Sequence, residues 1–361
     1  MSKQQINYKT GYQLSASSVL IWRIVQLVFW CVGAFIVSAL LFYPSLGLLL
    51  FWNILIPVAP ALLVLAPGLW RNICPLATTN LLPRHLNLSK EKKLSTKQLA
   101  ILNLIAVLSL YILVPLRHAV FNNNGFATAS MLISMAVIGV TAGFFYEWKS
   151  VWCSGLCPIH PVEKLYGENV LFTVPNAHCD KCMRCVTACP DATPNVNPGS
   201  GVKNVYQKIT AFLIIGGLPG FIWGWFHIPD QIKLTTFAEF FSVYKLPMLG
   251  LMVSLFIYSL IKIFISRKDN NKLTAFFAAS GVSCYYWYRI PSLFGFGIFG
   301  SDGVLVNLRG ITSVNVFPIV TVATTMFFFY WLFLRKPNKK SWLIRPEYAS
   351  KRMSVKQKLS A

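Results

Sequence analysis

The sequence predicts an all-α polytopic membrane protein of about eight transmembrane helices, N-in/C-in, with a small cysteine-rich insert on the cytoplasmic side. Three observations carry this expectation. Of the 361 residues, 55% are hydrophobic and only 12% charged, and the mean hydropathy is positive, a balance far too apolar for a soluble domain. The apolar residues gather into segments near 18–42, 46–67, 98–116, 127–146, 207–227, 246–265, 273–298 and 313–334, each long enough to cross a hydrocarbon core of about 30 Å. The basic residues fall mainly in alternate connections.

That last pattern decides what the net charge of +22 means. One set of connections holds Lys3 and Lys9, then Arg71, Arg84, Lys90, Lys92, Lys93 and Lys97, then Lys149 to Lys208, then Arg267, Lys268 and Lys272, and finally the tail from Arg335 to Lys358. The opposite set holds little beyond Arg117, Lys233, Lys245 and Arg309. This is the positive-inside distribution, expected of a bacterial-type inner (cytoplasmic) membrane protein with the cysteine segment facing the cytoplasm. It points to anionic lipid headgroups and to an acidic soluble electron carrier as partners, and to no nucleic acid. Four regions follow: a four-helix membrane region over 1–146, a cytoplasmic segment over 147–206, a second four-helix region over 207–334 and a basic tail over 335–361.

In chain order, the first apolar segment follows a short polar start and is too long for a signal-peptide core, so it is expected to remain as a helix. The turn Tyr43-Pro44-Ser45 makes helices one and two a tight hairpin. Pro57 and Pro60 kink helix two, which runs into Trp70-Arg71-Asn72-Ile73-Cys74-Pro75. Helix three ends in Arg117-His118, and helix four leads to Cys153-Ser-Gly-Leu-Cys157-Pro158. Aligning the two Cys-Pro pairs sets Trp70 against Cys153, so the first element reads as a degenerate copy of the second and the two hairpins as a duplicated unit. Helix five carries Gly216-Gly217-Leu-Pro-Gly220, a break or close-packing point. Helix seven carries Tyr285-Tyr286-Trp287-Tyr288-Arg289, which reads as an aromatic belt with a snorkelling arginine.

The chemistry is concentrated after helix four. Cys179-x2-Cys182-x2-Cys185-x3-Cys189-Pro190 is the bacterial ferredoxin run whose thiolates hold a [4Fe-4S] cluster, so the insert is expected to be ferredoxin-like and iron–sulfur binding. Three cysteines at two-residue intervals let one tight loop occupy three corners of a cubane, and the fourth thiolate must come from elsewhere. Six of the nine cysteines lie between residues 153 and 189, a density that packing does not require. A zinc site of four thiolates is the competing reading; the x2, x2, x3 rhythm and the Cys-Pro endings favour iron.

The Cys153-x3-Cys157-Pro158 element after a helical hairpin, followed by a ferredoxin run, resembles the membrane iron–sulfur proteins of the NapH, NosR and CcoG (FixG) type, over roughly residues 46–190. The resemblance implies a polytopic electron-transfer protein with cytoplasmic [4Fe-4S] centres, with Cys179, Cys182, Cys185 and Cys189 as the ferredoxin ligands, Cys153 and Cys157 as a membrane-proximal pair and Cys74 as half of a second pair. The chain departs from that pattern in having one ferredoxin run rather than two, Trp70 in place of a cysteine, and four further helices after the run. Two all-cysteine centres need eight thiolates and this side offers seven, so one cluster is expected and a second is open, with a non-cysteine or partner-supplied ligand; His160 and His178 are near in sequence.

The expected function is electron transfer between a soluble cytoplasmic carrier and the quinone pool, or another membrane or periplasmic acceptor, as part of a quinone-linked oxidoreductase. The alternatives are a factor that reduces metal for maturation of a partner enzyme and an iron–sulfur redox sensor. His118 and His227, at the outer ends of helices three and five, are candidates for contact with a quinone or, facing each other, a haem.

Overall fold

The structure, a computed structural model, describes residues 15–146, 151–167, 170–172, 174, 177, 198, 204–230, 236–266, 269–300 and 302–335. It is built of helices, with no strand among the described residues: α1 (Ala16–Phe42), α2 (Pro44–Leu65), α3 (Pro67–Ile73), α4 (Pro75–His85), α5 (Thr96–Leu113), α6 (Gly125–Phe145), α7 (Ile159–Tyr166), α8 (Val205–Phe226), α9 (Phe237–Phe264), α10 (Asn270–Leu293) and α11 (Val316–Leu334). Seven of them, α1, α2, α5, α6, α8, α9 and α11, are long and apolar enough to cross a membrane by length and composition among the described residues.

The chain marks where these helices start. Ser15 accepts a hydrogen bond from the Ser18 amide at the head of α1, and Asn124 does the same for Ala127 at α6. Ser95 with Gln98, Asn204 with Gln207, and Thr236 with Glu239 form reciprocal capping boxes at α5, α8 and α9. Each satisfies backbone donors that the first turn leaves without helical partners. The box at Thr236 starts α9 at Phe237, nine residues ahead of the apolar stretch expected from 246, because Glu239 and Lys245 are accommodated within the helix.

The helices traverse the bundle in alternation, so one end collects the connections near Phe42–Pro44, His118–Gly125, Phe226–Asp230 and Leu293–Asn315, while the Phe145 end of α6 lies at the other. The tight first hairpin is present: Gly47 packs so closely that a Cβ would collide with the backbone at Ala39 and Leu40. The glycines of α8 serve the same purpose. A Cβ at Gly220 would strike the Gly250 carbonyl oxygen of α9, and one at Gly224 would strike the Leu246 carbonyl, so α8 and α9 touch through their backbones. The main core runs through Val107, Tyr111, Tyr166, Ile214, Phe221, Trp225, Phe277, Val282 and Tyr286.

Two features depart from the sequence reading. The seventh apolar segment, 273–298, is present as the 24-residue α10, but it falls short in hydropathy because it carries polar residues on a buried face that includes Thr274, Ser283, Arg289 and Ser292. Arg289 does not snorkel. It is 2% exposed and donates from Nη2 to the Trp52 carbonyl at 2.8 Å and to Asn53 Oδ1 at 2.9 Å. Those acceptors come from α2, more than 230 residues earlier, so no local pattern around Arg289 could have shown them.

The second departure concerns the start of the cysteine segment. Trp152 lies against Gly139 of α6, six residues inside that helix's Phe145 end, and α7 is buried at His160, Pro161, Glu163, Lys164, Leu165 and Tyr166. Leu165 and Tyr166 belong to the main core. The stretch from Val151 to Gly167 is therefore packed into the helical bundle, and the boundary expected at 147 is not a packing boundary. Of the rest of the expected insert, most of residues 168–203 lie outside the described residues.

A candidate cysteine site and a polar pocket at the opposite end

The two Cys-Pro elements are matching corners. Cys74 ends α3 with φ −59° and ψ 118°, and Cys157 ends the helical turn Trp152–Leu156 with φ −64° and ψ 117°. In each case the following proline enters a new helix, because its fixed φ and missing N–H suit a first helical turn. The residue before proline is driven to extended ψ, and this turns the chain sharply at the sulfur-bearing residue.

The corners come together. Arg71 Nε, three residues before Cys74, donates to Glu163 Oε1 of α7 in an ion pair with each side chain only 8% exposed. Asn80 of α4 lies with Nδ2 3.9 Å from Cys153 Sγ. His160 Nδ1 meets Asn103 Oδ1 of α5 at 3.2 Å. Burial pushes the Cys157 thiol up to about 12; the neighbouring Cys74 and then Glu163 add to this, while backbone N–H groups of Ile159 and His160 facing the sulfur pull the other way. A thiol in that setting stays protonated until a positive charge arrives beside it.

One further contact bears on the ferredoxin run. Asn72 Oδ1, two residues before Cys74, accepts from the backbone N–H of Ala177 at 3.1 Å. The run begins two residues later in the chain. Cys179, Cys182, Cys185 and Cys189, with His178, lie outside the described residues. Among the described residues no three His, Cys, Asp or Glu side chains converge on a metal position. Cys74 lies near Cys157, whose sulfur the N–H groups at the start of α7 face, while Cys153 lies beside Asn80.

His118 and His227 have different surroundings. His227 is half-buried and directed back along its own helix, with Nδ1 2.7 Å from the Trp223 carbonyl. His118 is 4% exposed, and its Nδ1 lies 2.6 Å from Asp230 Oδ1. Each ring thus holds a hydrogen bond through Nδ1.

Asp230 is the hub of this end. It accepts from Arg117 Nη2 at 3.3 Å and from Asn122 Nδ2 at 2.9 Å, and its own N–H donates to Asp302 Oδ2 at 2.6 Å. Burial acts to raise its carboxyl, but the Arg117 charge, the His118 hydrogen bond and charge, and Arg289 together hold it below the usual carboxylate range. Burial lowers the His118 ring despite Asp230. The guanidinium of Arg117 stacks between Trp52 and Trp225, 5.3 and 5.2 Å from their ring centres. These groups border a cavity of about 30 Å³, whose wall also includes Phe226, Tyr288, Ile298 and Phe299.

The sequence pointed to the cysteines and His118 but not to Arg71, Asn72, Asn80, Glu163, Asp230 or Arg289. The available signal was scarcity: the chain has only 11 acidic residues, and Glu163 lies five residues after Pro158 in a stretch that also carries Leu165 and Tyr166. Compared with known proteins, the chain matches no family model, no curated protein and no solved structure.

Proposed function

We propose that the chain is a membrane-bound iron–sulfur electron-transfer protein, passing electrons between a cytoplasmic donor and the quinone pool or a membrane or periplasmic acceptor. The observation that supports this most is the meeting of two Cys-Pro corners of nearly identical backbone conformation, drawn from segments some 80 residues apart, with Asn72 holding the chain just ahead of the ferredoxin run. In this reading Cys179, Cys182 and Cys185 with Cys157 hold a [4Fe-4S] cluster. Cys189, Cys153 and Cys74 supply thiolates to a second centre, completed by another ligand. The NapH, NosR and CcoG resemblance, the bacterial inner membrane and the cytoplasmic placement of the cysteines belong to the same proposal.

When bound, such a group supplies one-electron chemistry at a potential set by charge, hydrogen bonds and exposure. The chain's own residues provide the setting. The N–H groups of Ile159 and His160 favour negative charge on Cys157, the Arg71–Glu163 pair fixes one corner against the other, and the packed bundle around α7 keeps water away. Low local polarity makes each of these interactions stronger than it would be in water.

Iron and acid-labile sulfide counted on anaerobically purified protein test the reading. The wild type should hold at least about four irons per chain. Cys182→Ser should remove most of them, Cys74→Ser should reduce the count if a second centre is present, and Cys284→Ser should leave it unchanged. Zinc in the wild type, or iron unaffected by Cys182→Ser, would refute the reading.

A further inference from the structure

The connection between α4 and α5 is a strap fixed to the bundle. Lys90 N–H donates to the Phe144 carbonyl at 2.7 Å and Lys92 N–H to the Phe145 carbonyl at 3.0 Å, so residues 90–92 lie alongside the last turn of α6. Ser89 Oγ donates to the Tyr146 carbonyl at 3.3 Å, and Leu88 N–H donates to the Pro83 carbonyl at 2.8 Å. Asn87 and Glu91 hold left-handed backbone, with φ 57° and 47°, a conformation that residues other than glycine keep only where their surroundings impose it. The capping box of Ser95 and Gln98 closes the strap at the head of α5.

The strap lies at the edge of a membrane span. A Cβ at Gly143, two residues before the end of α6, would meet Asn80 and Pro83, so α4 ends level with α6. α4 buries Ala77, Asn80, Leu81 and Pro83 and turns Leu82 outward, and Leu86 follows one turn later. Leu82, Leu86 and Leu88 are 49%, 57% and 57% exposed, and they continue the exposed apolar surface of Phe144 and Phe145. Directly beyond them Lys90, Lys92, Lys93 and Lys97 are all exposed, against the single carboxylate of Glu91. The Lys90 ammonium lies over the Phe145 ring, 5.2 Å from its centre, where the span ends. Along the span axis the surface is thus apolar toward the middle and basic past the end. That is the polarity of a molecule with acyl chains and an anionic phosphate head. A water-soluble acidic partner would answer the lysines and leave the leucine shelf without a role.

We propose that residues 82–97 form a seat for one anionic phospholipid, with its phosphate among Lys92, Lys93 and Lys97 and its acyl chains on the shelf of Leu82, Leu86 and Leu88. Any basic connection near a membrane attracts anionic lipid diffusely. The strap differs because its backbone is bonded to α6, which holds the ammonium groups in place over the shelf and makes the binding local and saturable. The seat does not depend on the electron-transfer reading.

The test is native mass spectrometry of the full chain in nonionic detergent micelles, titrated separately with dioleoylphosphatidylglycerol, dioleoylphosphatidylcholine and glycerol phosphate. One phosphatidylglycerol should bind ahead of further lipid and at least about fivefold more tightly than phosphatidylcholine, the effect of one close lysine. Glycerol phosphate, which has the head without the chains, should bind far more weakly. Lys92→Gln, Lys93→Gln and Lys97→Gln together should abolish the preference, and Leu86→Asn with Leu88→Asn should weaken both lipids. Lys208→Gln, Lys262→Gln and Lys272→Gln together remove the same charge from exposed positions at the same end of the bundle, and should leave the preference unchanged. Equal loss in the two triple variants would reduce the effect to diffuse charge and overturn the seat. So would a wild type without preference, a preference that survives the strap variant, or glycerol phosphate binding as tightly as the lipid. Association of an acidic carrier protein, flavodoxin, that the strap variant abolishes while lipid binding persists would assign the lysines to protein docking instead.

Discussion

Glu163→Gln tests the link between the two cysteine corners. Glu163 and Arg71 are each about nine-tenths withdrawn from solvent and bond directly, tying α7 to α3. Removing the carboxylate charge takes the Glu163 counter-charge away from a guanidinium that is 8% exposed. At an effective dielectric near 20, two unit charges in contact interact by roughly 4 kcal/mol, and breaking a buried pair from one side typically costs about 3–5 kcal/mol. A glutamine oxygen still accepts a hydrogen bond, so a loss of about 3 kcal/mol is expected, near a hundredfold in the unfolding equilibrium. Replacing both partners with apolar residues, Arg71→Met with Glu163→Leu, should recover much of that loss because no charge is left buried. Reversible unfolding in mixed micelles, followed by far-ultraviolet circular dichroism, measures all three proteins. A Glu163→Gln variant within about 0.5 kcal/mol of wild type, or a double variant worse than the single, would refute the reasoning.

Other regions give independent expectations. Gly220→Ala should destabilise by about 1–3 kcal/mol or more, since its Cβ meets backbone that cannot swing aside; an unchanged melting temperature would show that α8 and α9 are not in backbone contact. Stability should fall on acidification in two windows. His118 has a lowered folded value, so the unfolded chain takes up the proton first as pH drops below about 6.5, and Asp230, also lowered, loses its contribution as pH falls below the ordinary carboxylate value near 3.8. Asp230→Asn should remove the acid window, and a melting curve independent of pH in the wild type would contradict both signs. Replacing Lys181 and Arg184 together with glutamine should lower the midpoint potential of the reducible centre by on the order of tens of mV, because positive charge inside the ligand run favours the reduced form; a redox titration showing no change or a rise would refute it.

The helices were legible because hydropathy and length act locally. The spans expected from 18, 98, 127 and 207 begin within two residues of α1, α5, α6 and α8, each just after a capping residue visible in the sequence. The matching of the two Cys-Pro corners was also legible, since proline fixes the conformation of the residue before it. What could not be read was tertiary. α7 carries His160, Glu163 and Lys164 and looks like a solvent-facing turn; it is buried because Arg71 and Asn103 arrive from 92 and 57 residues away to meet Glu163 and His160. Arg289 likewise became a core residue only once α2 supplied two acceptors. Asp230 stood out only as a loop residue after helix five, since nothing in its neighbourhood indicates that Arg117, His118 and Asn122 converge on it from more than 100 residues earlier.

Anaerobic electron paramagnetic resonance of the purified chain, as isolated and after dithionite reduction, with iron and sulfide counted on the same sample, tests the central claim most directly. The account predicts a reduced iron–sulfur signal, with about four irons for one centre or about eight with a spin-coupled signal if Cys74, Cys153 and Cys189 share a second. A chain holding zinc, or one with no signal after reduction and no acid-labile sulfide, would contradict it.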